Sequence, residues 1–186
     1  MFGKTIEDIS IDMIRHDDRY YYVAEGYGGK PVHAWPIYRF YYMYIHESKE
    51  KAKINYEAWY VDQYKKYRFV EKRRGGMLGG SLDRLVTQKI RNGESDESLF
   101  MQAISERVDQ RYALADTIIN DGYIPRQSDP VEGIRKDKSI VLIRGHHRTA
   151  ILAALGNDVV PLVHVYNNTR SYRLHRLVRR IGSLFP

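Results

Sequence analysis

Residues Ile140, Val141, Leu142 and Ile143 form an apolar, mostly β-branched run that passes through Arg144 and Gly145 into His146-His147-Arg148-Thr149-Ala150-Ile151. Such a run reads as a buried strand, and a single glycine lets the chain turn sharply where it ends. The alanine-rich stretch from Thr149 to Leu155, closed by Gly156, reads as a helix. Around this unit the pattern predicts a helix over 98–120, ended by Asn120-Asp121-Gly122, and a weak strand from Val131 to Ile134. A turn at Asp137-Lys138 and a strand from Ser139 to Ile143 follow. The last strand runs from Val159 to Val165, and its Pro161 suits an edge or strand-start position. The expected core is mixed α/β: helix, strand, strand, helix, strand.

The sequence has 186 residues, 43% of them hydrophobic, enough for one sizeable core with a decorated end. Charge divides the chain. Lys plus Arg balance Asp plus Glu at 19 against 19 in residues 1–125, but stand at 11 against 4 in residues 126–186, so the last third carries the whole excess of +7. Tyrosine is biased the other way, with 12 of 16 in residues 1–67. The contrast predicts an aromatic, mostly helical extension over 1–97 and a core with a basic C-terminal helix over 98–186. Cysteine is absent, which removes disulfides, thiolate zinc sites and cysteine nucleophiles. No apolar run approaches the roughly 18 residues of a membrane span, and MFGKTIEDIS lacks the apolar centre of a signal peptide. A soluble, cytoplasmic protein is expected.

Within the extension, Ile6, Ile9, Met13 and Ile14 recur at roughly helical spacing and predict a short amphipathic helix over 5–15. Gly26, Gly28, Gly29 and Pro31 interrupt the chain. The aromatic stretch Ile37 to Ile45 suits a strand or a helical turn, whereas 47–67 reads as a helix, with glutamates early and lysines late. Next come Lys72-Arg73-Arg74 and Gly75-Gly76-Met77-Leu78-Gly79-Gly80-Ser81, then a helix over 82–91 with Ser81 as its N-cap. The glycine-rich stretch lacks the Gly-Lys-Ser/Thr ending of a phosphate loop, so a hinge or active-site lid is the better reading. Trp35 and Trp59 are expected in the core.

The chemistry concentrates at the glycine turn. Two histidines and an arginine crowd the first turn of the helix after Gly145, where the positive end of the helix dipole disfavours cations and free N–H groups bind anions. Gly145 permits close approach of a ligand, and Arg148 offers a planar fork for phosphate oxygens. On the residues alone two readings stand: an anion site, or Arg148 paired with a buried acid and the histidines capping the turn. The seven histidines show no His-Glu-x-x-His pattern, which argues against a transition-metal site.

Gly145-His146-His147-Arg148 after an apolar strand, followed by alanine and leucine positions, a glycine and Val160-Pro161-Leu162-Val163, resembles the ParB/sulfiredoxin-like superfamily. The likeness extends back through Leu114 to Ile124 and covers about residues 98–166. It implies a ParB/sulfiredoxin-like mixed-sheet core with a nucleotide-phosphate site, in which Gly145, His147 and Arg148 match the phosphate turn and Thr149 follows it. His146 stands where sulfiredoxins carry their catalytic cysteine, which excludes that redox chemistry and leaves His146 as the candidate catalytic residue. Arg144 stands where the free-serine kinases carry an aspartate, and a cation neither holds magnesium nor accepts a proton at neutral pH.

The function this implies is that of an ATP-dependent phosphotransferase, a kinase using ATP or another nucleoside triphosphate with Mg2+ on a small hydroxyl-bearing metabolite. The alternative is a ParB-like, nucleotide-regulated DNA-binding protein or nuclease; only 20 residues follow Tyr166, too few for a helix-turn-helix domain. The missing carboxylate is sought among Glu94, Asp96, Glu97, Asp129 and Glu132. Arg170, Arg173, Arg176, Arg179 and Arg180 alternate with Leu174, Leu177, Val178 and Ile181, a basic amphipathic helix. It is expected to pack by its leucines, with its arginines in water and weak affinity for nucleic acid; the sharper reading is a polyanion or anionic-membrane contact.

Overall fold

The computed structural model describes residues 6–16, 29–67, 97–126 and 129–182. The glycine-rich stretch 75–80, the helix expected over 82–91, and Glu94 and Asp96 lie outside them. The chain is mixed α/β. The first described elements are strand β1 (Glu7–Ser10), a 3-10 turn at Ile11–Met13 and strand β2 (Ile14–His16), and further along come helices α1 (Pro36–His46), α2 (Lys49–Tyr67) and α3 (Glu97–Asp121). Then come β3 (Glu132–Lys136), β4 (Ser139–Arg144), α4 (His146–Ala154), β5 (Val159–Leu162), β6 (His164–Tyr166) and α5 (Thr169–Gly182).

The principal sheet has the order β2-β4-β3-β6, and β1 pairs with β5 in a separate two-stranded ribbon. β2 runs parallel to β4 and β3 parallel to β6, while β3 and β4 form an antiparallel hairpin. The hairpin turns at Asp137, whose φ of 53° is a left-handed conformation that Asp tolerates.

The helix expected over 5–15 is overturned. Ile9 lies opposite Val160 and Ile14 opposite Ile140, so pairing with strands far along the chain outweighs a helical spacing carried by four apolar residues. Ile6, counted on the apolar face, is 52% exposed, while Ile9, Ile11, Ile14 and His16 are buried. The single strand expected over 159–165 divides at Val163, whose N–H donates to the Val131 carbonyl at 2.9 Å. β5 turns to β1 and β6 to β3. Pro161 sits in β5, which among the described residues pairs with β1 on one side, so its missing N–H costs no ladder bond there.

The aromatic stretch before Ile45 is helix α1, started by Pro36 in its first turn. It packs against both α2 and α4, and the His46 Nε2–H donates to the Ala154 carbonyl at 2.8 Å, satisfying a group the end of α4 leaves open. Phe40 meets Tyr56 and Tyr112 at ring distances of 4.8 and 5.4 Å, with Tyr41 and Trp35 fully buried beside them. One apolar cluster runs from Ile9 and Phe40 through Ile104 and Val108 to Ile140, Ile151 and Leu162, so residues of the extension and of the basic third share a core. Two tyrosine hydroxyls tie this layer to the long helix and to the start of α2: Tyr112 donates to the Lys49 carbonyl at 2.6 Å, and Tyr44 donates to Asp116. Burial, then the bond to Asp116, pushes the Tyr44 hydroxyl up to about 12.

The leucines of α5 do not pack. Leu174, Leu177 and Val178 are exposed, and the helix meets the body through Tyr172 and His175 against Tyr166.

Candidate functional site

β4 ends at Arg144, and Gly145 turns the chain into α4 with φ at 88°. A Cβ at Gly145 would lie 2.6 Å from Val131 Cγ2 and 3.0 Å from Val131 Cα, so the left-handed backbone and the close strand both require glycine. No side chain caps the helix. The Thr149 N–H donates to the Gly145 carbonyl at 2.9 Å, closing the first turn of the helix over His146, His147 and Arg148.

The four residues after Gly145 point into different environments, as successive residues on a helix must. His146 packs inward: its ring centroid lies 4.7 Å from that of His16 and 5.5 Å from that of Trp35, both fully buried. His147 faces α1, with Nδ1 hydrogen-bonded to the Tyr41 hydroxyl at 3.0 Å. Burial, then the positive charges of Arg111, His146 and Arg107, hold the His147 imidazole well below its ordinary pKa, so it is neutral at pH 7. Thr149 is completely buried, and its hydroxyl has no hydrogen-bond partner among the described residues.

Arg148 reaches an exposed carboxylate. It donates to Asp129, and Arg144 lies 3.8 Å from the other oxygen of the same carboxylate. Asp129 is about half exposed, at 53%, so this is not the buried acid that a purely structural pairing would use. Among the acids in question that the structure describes, Glu132 is buried and accepts from the Tyr166 hydroxyl at 3.2 Å, and Asp129 reaches Arg148 and Arg144 beside the turn. Tyr123 stands close enough to feel the Arg148 charge, which opposes the upward push that burial gives its hydroxyl.

Arg111, behind His147, is an interior cation held by tyrosines. Its Nε–H and an Nη2–H donate to the hydroxyls of Tyr56 and Tyr60 at 3.1 Å each, and an Nη1–H donates to the Arg107 carbonyl at 2.9 Å. Burial opposes its charge; the tyrosine oxygens outweigh that and raise its pKa further.

The residues singled out in the sequence thus divide. Arg144 and Arg148 meet at the surface with Asp129, whereas His146, His147 and Thr149 are turned into the fold. Sequence reasoning did not single out Tyr41, His16 and Trp35 as neighbours of the turn, and named Asp129 only as one acid of five. Tyr41 lies 106 residues from His147 and Asp129 lies 19 from Arg148, separations at which no local spacing carries a signal. No group of three or more His, Asp or Glu among the described residues is placed to hold a metal ion.

Comparisons with family models, curated proteins and solved structures find no match to this chain.

Proposed function

We propose that the chain binds a nucleoside triphosphate at the start of α4 and transfers its terminal phosphoryl group to a small hydroxyl-bearing metabolite, on a core of ParB/sulfiredoxin-like type. The observation that carries this reading is the meeting of Arg144, Arg148 and Asp129 beside the uncapped first turn of α4. Two guanidinium forks beside a helix N-terminus suit phosphate oxygens, and Gly145 presents the backbone to them without a Cβ. Asp129 supplies the carboxylate that Arg144 displaces from the strand end. Magnesium, when bound, would neutralise charge on the phosphate oxygens, which leaves the Asp129 carboxylate for the acceptor's proton.

In this reading the acceptor O–H gives its proton to Asp129 as its oxygen bonds to the terminal phosphorus. The bond from phosphorus to the bridging oxygen breaks, and the nucleoside diphosphate leaves carrying the electron pair. Arg144 and Arg148, released from Asp129 by the incoming phosphates, stabilise the developing charge. His146 and His147 then act as positioning residues: one is stacked on His16 and Trp35, the other bonded to Tyr41, and together they fix the turn.

Calorimetric titration with ATP, followed by measurement of ADP release over a mixture of sugars and polyols, tests the proposal. Arg148→Ala is expected to abolish both binding and turnover, and Asp129→Asn to retain binding while losing turnover by about two orders of magnitude or more. Equal ATP affinity in Arg148→Ala overturns the site. Binding without turnover for every acceptor leaves a nucleotide-sensing module.

A further inference from the structure

The C-terminal helix α5 presents its apolar side away from the protein. Asn168 caps it, its side-chain oxygen accepting the Ser171 N–H at 2.9 Å, so the helix is well started. The side toward the body carries Tyr172 and His175, which meet Tyr166 at ring distances of 5.3 and 5.5 Å. Leu174, Leu177 and Val178, three and four residues apart, share another side and are 58, 55 and 57% exposed. Arg170, Arg173 and Arg176 are exposed along the same helix. The helical segment carries five arginines and no acid, and no acidic residue follows Asp158 anywhere in the sequence.

We propose that α5 is a docking surface for an anionic lipid bilayer, lying in the plane of the headgroups with Leu174, Leu177 and Val178 at the acyl boundary and Arg170, Arg173 and Arg176 on lipid phosphates. Charge and geometry select this occupant over the alternatives. A second copy docked through the same helix would set arginine rows against arginine rows with no acid on either to neutralise them. A nucleic acid would bring its phosphates against three exposed apolar side chains at the centre of the contact. A bilayer takes both features, because arginine stems lie along apolar surface while their heads reach the phosphates, and the leucines enter hydrocarbon. No described helix is long and apolar enough to cross a membrane, so the attachment is peripheral. The proposal is independent of any activity at Arg148.

The test is co-sedimentation of the full chain with vesicles of neutral phosphatidylcholine, and of phosphatidylcholine with 30 mol% phosphatidylglycerol. The protein is expected to bind the anionic vesicles and not the neutral ones, with binding weakened as salt rises. Leu174→Ser with Leu177→Ser is expected to lower vesicle partition by at least about tenfold, and Arg173→Gln with Arg176→Gln by roughly thirtyfold. Both variants should keep the parent melting temperature, since these side chains contact little. Failure of the parent chain to bind anionic vesicles overturns the proposal. So does a concentration-dependent dimer that the leucine variant abolishes, or binding of duplex DNA in preference to vesicles.

Discussion

His147 links the turn to the stability of the whole chain. Its folded pKa lies well below the ordinary histidine value, because burial and the charges of Arg111, His146 and Arg107 all disfavour the imidazolium. The unfolded chain therefore binds a proton at His147 that the folded chain refuses. The resulting contribution to stability is fully present above the unfolded pKa of about 6.5, and is lost as pH falls below it toward the folded value. Urea melts between pH 7.5 and 5 are expected to show stability falling with acid, at up to about 1.4 kcal/mol per pH unit from this group. His147→Asn is expected to flatten that slope while lowering stability at pH 7.5 through the altered contact with Tyr41. An unchanged slope in the variant would place the acid sensitivity elsewhere. The sequence showed His146 to Thr149 as a single motif at a helix start, and that start is where the structure has it. Their separation into an aromatic stack, a tyrosine contact, a surface ion pair and a buried hydroxyl was not legible. Each environment is made by a residue distant in sequence, and none leaves a periodic trace.

At the scale of elements, what the sequence reveals depends on whether an element's identity is decided within it. The long helix expected over 98–120 is α3 at 97–121, and the hairpin β3–β4 turns at Asp137-Lys138 as composition suggests. β1 and β2 are short strands whose pairing partners lie more than 120 residues on, so a local helical spacing misleads there. The amphipathic character of α5 is plain in sequence, yet amphipathicity does not say which side meets the body. Tyr166 decides that. Its hydroxyl donates to the buried Glu132 carboxylate and lies 2.8 Å from His175 Nδ1, so with one proton it serves as donor to the first and acceptor from the second. Tyr166→Phe is expected to destabilise the protein by about 1–3 kcal/mol, since Glu132 loses one partner in the interior. The local effect is expected to be larger. Amide exchange in α5 should accelerate before that in β3 or β4, because Tyr166 is where Tyr172 and His175 of the helix meet the body. Uniform acceleration across all elements would show that α5 is not held separately by this bond.

At the scale of the molecule, the contrast between a tyrosine-rich first third and a basic last third does not mark a division of the core. Among the described residues β1 is the partner of β5, and β2 covers the β4 edge of the principal sheet. α1 covers α4, whose Thr149 to Ala154 are all buried. Removing residues 1–97 would therefore uncover two strand edges and one helix face together, leaving Ile140, Leu142, Ile151 and Leu162 without the aromatic layer that Trp35, Phe40 and Tyr41 provide. Each large apolar side chain newly opened to water costs about 1.5–3 kcal/mol, and a domain of this size is stabilised by only about 5–15 kcal/mol in total. A few such exposures exhaust the margin. A fragment of residues 98–186 is expected to lack cooperative thermal unfolding and dispersed amide resonances, whereas the full chain should unfold in one transition. Mixing the fragment with a peptide of residues 1–67 should restore part of that cooperativity if strand pairing is what is missing. A fragment that alone melts sharply, with native-like amide dispersion, would show that the basic third carries a core of its own.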